Sequence, residues 1–244
     1  MILTFGLRIV SIIVVTLIVG MANIVQASFV PPTPEGLNPG DQYRWVFVTS
    51  GAIDGQSSDI DYYNNVVDDL GDTVVNSDWK AIVSIGTQGN VANVHAKDNT
   101  GTNLSDSNIP IFNFAGKLVS ATDSVNMWQD GVSNAITIDE SGASYDGLVW
   151  TGTNKWGSGS AFKLGRPPFY KSTTSDTAAD LATYWTAGTA VNNKTNLLPL
   201  YGISSVQTMS PVAPIPEPAS VITWTLLGVV GCIATWWRRR RRAG

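Results

Sequence analysis

Cysteine is almost absent from this chain: Cys232 is the one thiol, and it lies in an uncharged run near the C-terminus. Nothing ahead of it can form a disulfide, so any folded body must stand on packing alone. Histidine is equally scarce. His95 leaves no partner for a His-based zinc cluster, and "NVANVHAKDN" around it carries no signature of a serine–histidine triad. It reads as a surface or helix-end residue. Positive charge is sparse as well, with fifteen Lys and Arg against nineteen Asp and Glu, and Arg8 and Arg238 to Arg242 account for six of the fifteen. Between Ser28 and Pro218 nine cations remain against nineteen carboxylates, a net charge of −10, which argues against nucleic acid or a heparin-type polyanion as partner. No internal repeat is present, which disfavours a solenoid or propeller.

What the chain does have is a long apolar run at each end. Ala219 to Trp237 contains no charged residue, and as a helix it would be roughly 28 Å long, the thickness of a bilayer's hydrocarbon core. Trp236 and Trp237 suit the interface, and Arg238, Arg239, Arg240, Arg241 and Arg242 form a membrane stop that favours the cytoplasmic side. The competing reading is a buried core helix with a solvated basic tail. At the other end Arg8 precedes the apolar run Ile9 to Val19 and the small-residue stretch Val25-Gln26-Ala27, the pattern of a secretory signal peptide cleaved after Ala27. An uncleaved anchor is the alternative. Both ends place the intervening body outside the cytoplasm.

Pro216-Glu217-Pro218, followed directly by a single apolar span and a terminal arginine cluster, resembles the PEP-CTERM sorting signal of exopolysaccharide-producing Gram-negative bacteria. The resemblance implies an exosortase as partner, with Pro216, Glu217 and Pro218 as its recognition motif and Cys232 as a small apolar residue of the span. Each proline fixes its own φ and turns its predecessor away from helix, so this motif is extended. A plain Pro-rich stalk before a permanent anchor is the competing reading. The implied map is a signal peptide over 1–27, a Pro-rich leader over 28–40, a folded domain over 41–209, a Pro-rich linker over 210–218, a transmembrane helix over 219–237 and a basic cytoplasmic tail over 238–244. Signal peptidase, the secretion machinery and the inner membrane are its further partners.

Within the body, "RWVFVTS" alternates like a half-buried strand. Ile60, Tyr63, Val66, Val67 and Leu70 then fall three or four apart, with Ser57 or Ser58 to cap the helix and Gly71 to end it. "WKAIVSI" predicts a strand, "NVANVHAKDN" a short helix, "IPIFNFAGKLV" a buried irregular strand and "VNMWQDG" a helical turn. "AITIDESG", "GLVWTGT" and "LPLYGISSVQ" predict short strands. Together they describe an α+β domain.

The ordered series "WKAIVS", "IPIFNFAGKLV", "MW", "ITIDESG", "LVWTGT", "YWT" and "PLYGIS" is similar to the endostatin-like branch of the C-type-lectin-like fold, with Trp79, Pro110, Trp128, Trp150, Gly152 and Trp185 in matching places. The resemblance implies a scaffold of short strands, two helices and long loops. It does not bring that fold's disulfides, endostatin's heparin-binding arginines or the lectin calcium signatures, none of which this sequence carries.

Among the six tryptophans of the body, Trp45, Trp79, Trp128, Trp150 and Trp185 lie in or beside apolar segments and read mostly as core. Trp156 sits among Gly, Ser and Asn in "GTNKWGSGSAFKLGRPPFY", and with Phe169 and Tyr170 it forms the candidate ligand contact. "KDNTGTNLSDSN" offers Asp98, Asn99, Asn103, Asp106 and Asn108 as oxygen donors for calcium, although any solvated loop has this composition and no EF-hand pattern is present. No other metal or cofactor is expected. The expectation is an exported, non-enzymatic binding or structural module of the surface or matrix, associated with exopolysaccharide or biofilm. The alternatives are a permanently anchored envelope protein or a carboxylate-dependent hydrolase using Asp139 and Glu140, which as neighbours on a strand would point to opposite faces.

Overall fold

Large apolar side chains at successive positions of "QYRWVFV" make β1 (Gln42–Val48) the axis of the structure. A computed structural model describes residues 29–86, 94–103, 107–123, 127–128, 131–160, 162–165, 171–174, 185–186 and 191–211. After β1 come α1 (Ile60–Gly71), β2 (Trp79–Ala81), α2 (Ala96–Asn99), β3 (Ile111–Asn113), β4 (Leu118–Ser120), β5 (Lys171–Thr173), β6 (Val191–Asn193), β7 (Tyr201–Ser204) and β8 (Gln207–Thr208). The result is a mixed α/β structure: one six-stranded sheet in the order β2-β7-β1-β3-β4, with β8 on the first residues of β1, and a separate β5-β6 pair. β1 runs parallel to β3 through Arg44↔Ile111 and Trp45↔Phe112, and antiparallel to β7 through Val46↔Ile203 and Val48↔Tyr201.

Both faces of the sheet are covered, so the half-buried expectation for "RWVFVTS" is corrected: Trp45, Val46, Phe47, Val48 and Thr49 are all buried. Strand alternation sends Trp45 and Phe47 to one side and Val46 and Val48 to the other. On the first side they meet Tyr63 and Val67 of α1, with Trp79, Phe112 and Phe114. Phe47 stacks on Phe114 at 5.0 Å and meets Trp79 edge-on. On the second side Val46 and Val48 join Ile111, Val119, Met127, Trp128 and Trp185.

α1 forms where the three-and-four spacing predicted it, with a different cap. Asp59, not Ser57 or Ser58, accepts the Asp61 N–H at 3.0 Å. Ser57 is occupied by receiving the Asp59 N–H on its hydroxyl and the Tyr63 phenol on its carbonyl. "IPIFNFAGKLV" is two strands instead of one irregular strand, because Asn113 Oδ1 accepts from the N–H groups of Ala115 and Lys117 and Gly116 turns at φ +76. "NVANVHAKDN" is helical only over Ala96–Asn99; Val94 bridges to Ile85, and the residues before it lie outside the described ones. "AITIDESG" makes the isolated bridge Ile138↔Ser144, and "GLVWTGT" makes the isolated bridges Trp150↔Leu200, Trp150↔Thr174 and Thr153↔Gly159, where strands were expected.

The leader is described from Phe29, and it packs on the sheet's neighbours. Phe29 lies 6.0 Å from Phe114, Pro34 is buried, and the Glu35 N–H donates to the Gly116 carbonyl at 3.2 Å. Beside it the body's last strand returns: Gly40 N–H donates to Met209 O and Met209 N–H to Asp41 O, each at 2.8 Å. Arg44 ties four segments together, donating to Asp123 at 2.8 Å and to the carbonyls of Thr100 and Ser204 at 3.2 Å. The second oxygen of Asp123 is buried without a hydrogen-bond partner.

Candidate functional site

An exposed tryptophan on a fixed turn is the candidate site. In "TNKWGSG" the turn residue asparagine and two glycines fold the chain back on itself, with Thr153 bridging to Gly159 and Asn154 N–H donating to Ser158 O at 2.7 Å. Asn154 Oδ1 accepts from Trp156 N–H at 3.0 Å and Ser158 N–H at 3.1 Å, which holds the tip from inside. Gly157 is required twice. Its φ is +71, and a Cβ there would lie 2.6 Å from the Trp128 ring and 2.9 Å from Lys97 Cβ.

Three further bonds fasten the turn to the body. Lys97 N–H donates to Gly157 O at 3.1 Å, Ser160 N–H to Gly152 O at 2.9 Å, and Gly159 N–H to His95 Nδ1 at 2.8 Å. Beneath the turn Trp128 stacks on Trp185 at 5.6 Å, and the Trp128 indole N–H donates to Thr102 Oγ1 at 3.1 Å. On this footing Trp156 is 54% exposed, with Lys155 Nζ 4.6 Å from its ring centroid. Phe162, further along the same segment, is also exposed. The arrangement presents an aromatic face with an adjacent ammonium on a turn whose order is set before any ligand arrives.

Other candidate residues are spread through the structure. Phe169 and Tyr170 lie outside the described residues, as do Ala27, Pro216, Glu217, Pro218 and the five terminal arginines. Among the described residues no helix is long and apolar enough to cross a membrane. His95 precedes α2 and spends Nδ1 on Gly159. Of the calcium candidates, Asn99 faces inward to Asn64 and the Ala81 carbonyl, Asp98 accepts from Asn103 at 2.9 Å, and Asn108 lines an open cleft of about 720 Å³ with Asp41 and Gln42. Asp106 is outside the described residues, and among these no three His, Cys, Asp or Glu side chains gather as a metal set.

Asp139 and Glu140 are both engaged. Asp139 is buried and its Oδ1 accepts from Ser141 N–H, Ser141 Oγ and Ala143 N–H at 2.7–2.9 Å, so it closes its own turn. Glu140 accepts from the backbone N–H and hydroxyl of Ser50. Sequence reasoning missed the side chains that pack against the two glycines of the turn. Lys97 comes from α2, and a Cβ on Gly159 would collide with the Lys163 side chain, which places Lys163 along the turn's returning arm.

The comparisons with known proteins assign no family. No protein-family model matches the chain, and no curated protein matches it either.

Proposed function

We propose that this chain is an exported, non-enzymatic binding or structural module of the bacterial surface or extracellular matrix. It works on exopolysaccharide from a C-type-lectin-like scaffold related to endostatin. The scaffold reading is supported by the position of six of the seven resembling segments: "WKAIVS" begins in β2, "IPIFNFAGKLV" spans β3 and β4, "PLYGIS" contains β7, and Trp128, Trp150 and Trp185 of the short segments are all buried. Sorting is carried by Pro216, Glu217 and Pro218 for an exosortase, the Ala219 to Trp237 span and the stop from Arg238 to Arg242. The observation that carries the binding role is Trp156. A large indole left 54% exposed while its backbone is held by hydrogen bonds on both arms is suited to stack on the C–H face of a sugar ring. The structural bonds made by Asp139 and Glu140 favour this role over the hydrolase.

Retention of the full chain, kept in detergent, on the producing organism's polysaccharide tests the binding role. The wild type is expected to be retained and Trp156→Ala to elute early; co-elution of the two with a non-binding control overturns it. Mass spectrometry of the mature C-terminus tests the sorting role. A soluble extracellular form lacking the arginine block is expected, whereas intact protein found only in membranes favours the permanent anchor.

A further inference from the structure

The leader and the chain's exit from the body together enclose an apolar groove of about 220 Å³. Val30 and Pro31 of the leader, Tyr43 of β1, Val74 and Val75 after α1 and Met209 after β8 line it, and no described residue of its lining is charged. Tyr43 stands edge-on to Trp45 at 5.4 Å and gives the groove an aromatic wall, while Val30 is 75% exposed. The groove is smaller than the roughly 300–1,000 Å³ of small-molecule sites and lacks their convergent polar groups. A short extended peptide suits it, the occupant that proline-rich segments supply to aromatic-lined grooves.

We propose that the groove seats this chain's own segment from Val212 to Pro218, so that Pro216-Glu217-Pro218 is held on the body. Met209 is part of the wall and is pinned to Gly40 and Asp41 by two bonds of 2.8 Å, so the segment starts at the groove with only Ser210 and Pro211 between. Pro214, Pro216 and Pro218 favour a polyproline helix of about three residues per turn. On that period Val212, Ile215 and Pro218 share one edge, which meets the apolar wall. Glu217 falls on a different edge with Pro211 and Pro214, away from an uncharged groove. Tethering at Met209 gives the segment the roughly millimolar effective concentration of a short linker, an advantage over the same segment of a second copy. The chain before Phe29 is the rival occupant, and on cleavage after Ala27 only Ser28 of it remains. The docking rests on the groove and this segment alone. Its consequence, that the body shields the motif from the exosortase until the segment leaves, rests on the sorting reading.

Photocross-linking of the full chain in detergent tests the docking. Benzoylphenylalanine replacing Ile215 is expected to join peptides containing Val30, Tyr43 or Val74 within one chain, and Val30→Asp or Val212→Ser is expected to lower that yield about fivefold. Val212→Ser lies outside the body's core, so it decides the matter if Val30→Asp does not fold. Links scattered over the body, links to a second chain that grow with protein concentration, or a yield unmoved by Val212→Ser overturn the docking. So does a benzoylphenylalanine replacing Val30 that captures residues 1–27 in place of 212–218. Co-expression with an exosortase tests the shielding, read by mass spectrometry of the mature C-terminus, and both variants are expected to be released several-fold faster than the wild type. Equal release rates with the groove links intact overturn the shielding and leave the docking standing. Release of none of the three removes the sorting reading, and the shielding with it, while the cross-links still decide the docking.

Discussion

Gly71 closes α1 without the left-handed turn that a helix-ending glycine ordinarily supplies, since its φ is not positive. Its reason is the neighbour: a Cβ there would lie 2.6–2.7 Å from three ring atoms of the fully buried Trp79. Gly71→Ala is therefore expected to lose about 1–3 kcal/mol despite alanine's better helix propensity, read as a lower urea midpoint. Tyr63 sets an alkaline limit. Burial holds its phenol well above the ordinary value of 10.0, with Asp54 and Tyr62 adding to the shift and the bond to the Ser57 carbonyl opposing it. In the unfolded chain this phenol ionises near pH 10, while the native one keeps its proton, so stability is intact below about pH 10 and falls as pH rises beyond it. Burial raises Tyr43 and Tyr145 in the same direction. Tyr63→Phe should show a shallower decline of the denaturation midpoint above pH 10 than the wild type; an identical decline would mean that Tyr63 does not set it.

At the scale of elements, the sheet is clamped by one guanidinium. Arg44 leaves β1 to reach Asp123 after β4, the Thr100 carbonyl after α2 and the Ser204 carbonyl in β7, and Asp123 is only 1% exposed. Asp123→Ala strands that charge and is expected to cost about 3–5 kcal/mol, whereas replacing both partners by apolar residues of similar size should recover much of the loss. Chemical denaturation of the single and double variants measures both. What was legible here follows from what is local. The apolar period of α1 is a property of twelve neighbouring residues and was readable. The Asn113 turn was not, because "IPIFNFAGKLV" looks continuous until Asn113 turns its own side chain onto Ala115 and Lys117. "GLVWTGT" yielded isolated bridges instead of a ladder because Trp150 finds partners at Leu200 and Thr174, both remote in sequence.

On the scale of the whole molecule, an average hid a difference. Net charge summed over the body reads as uniformly acidic; Lys155 and Lys163 are near Trp156 in the sequence, whereas Lys97 meets the turn only because α2 is brought against Gly157. Exposure of Trp156 was legible from its small, polar neighbours, whereas its anchorage on Trp128, Lys97 and His95 was not, because those residues lie 28 or more positions away. The leader's packing was likewise hidden in a sequence without periodicity. Phe29 meets Phe114, and a Cβ on Gly142 would lie 2.6 Å from its ring. Phe29→Ala should lower stability by about 1–2 kcal/mol, measured by thermal melting of the full chain. The paired ends have a mechanical consequence. Traction applied beyond Ser210 would reach the two bonds of Met209 to Gly40 and Asp41 first and then β8, whose register on β1 is Gln42↔Thr208 and Tyr43↔Gln207. In an optical trap pulled from that side, a small early yield should precede the main rupture, so the molecule would lengthen slightly under shear while its sheet stays whole.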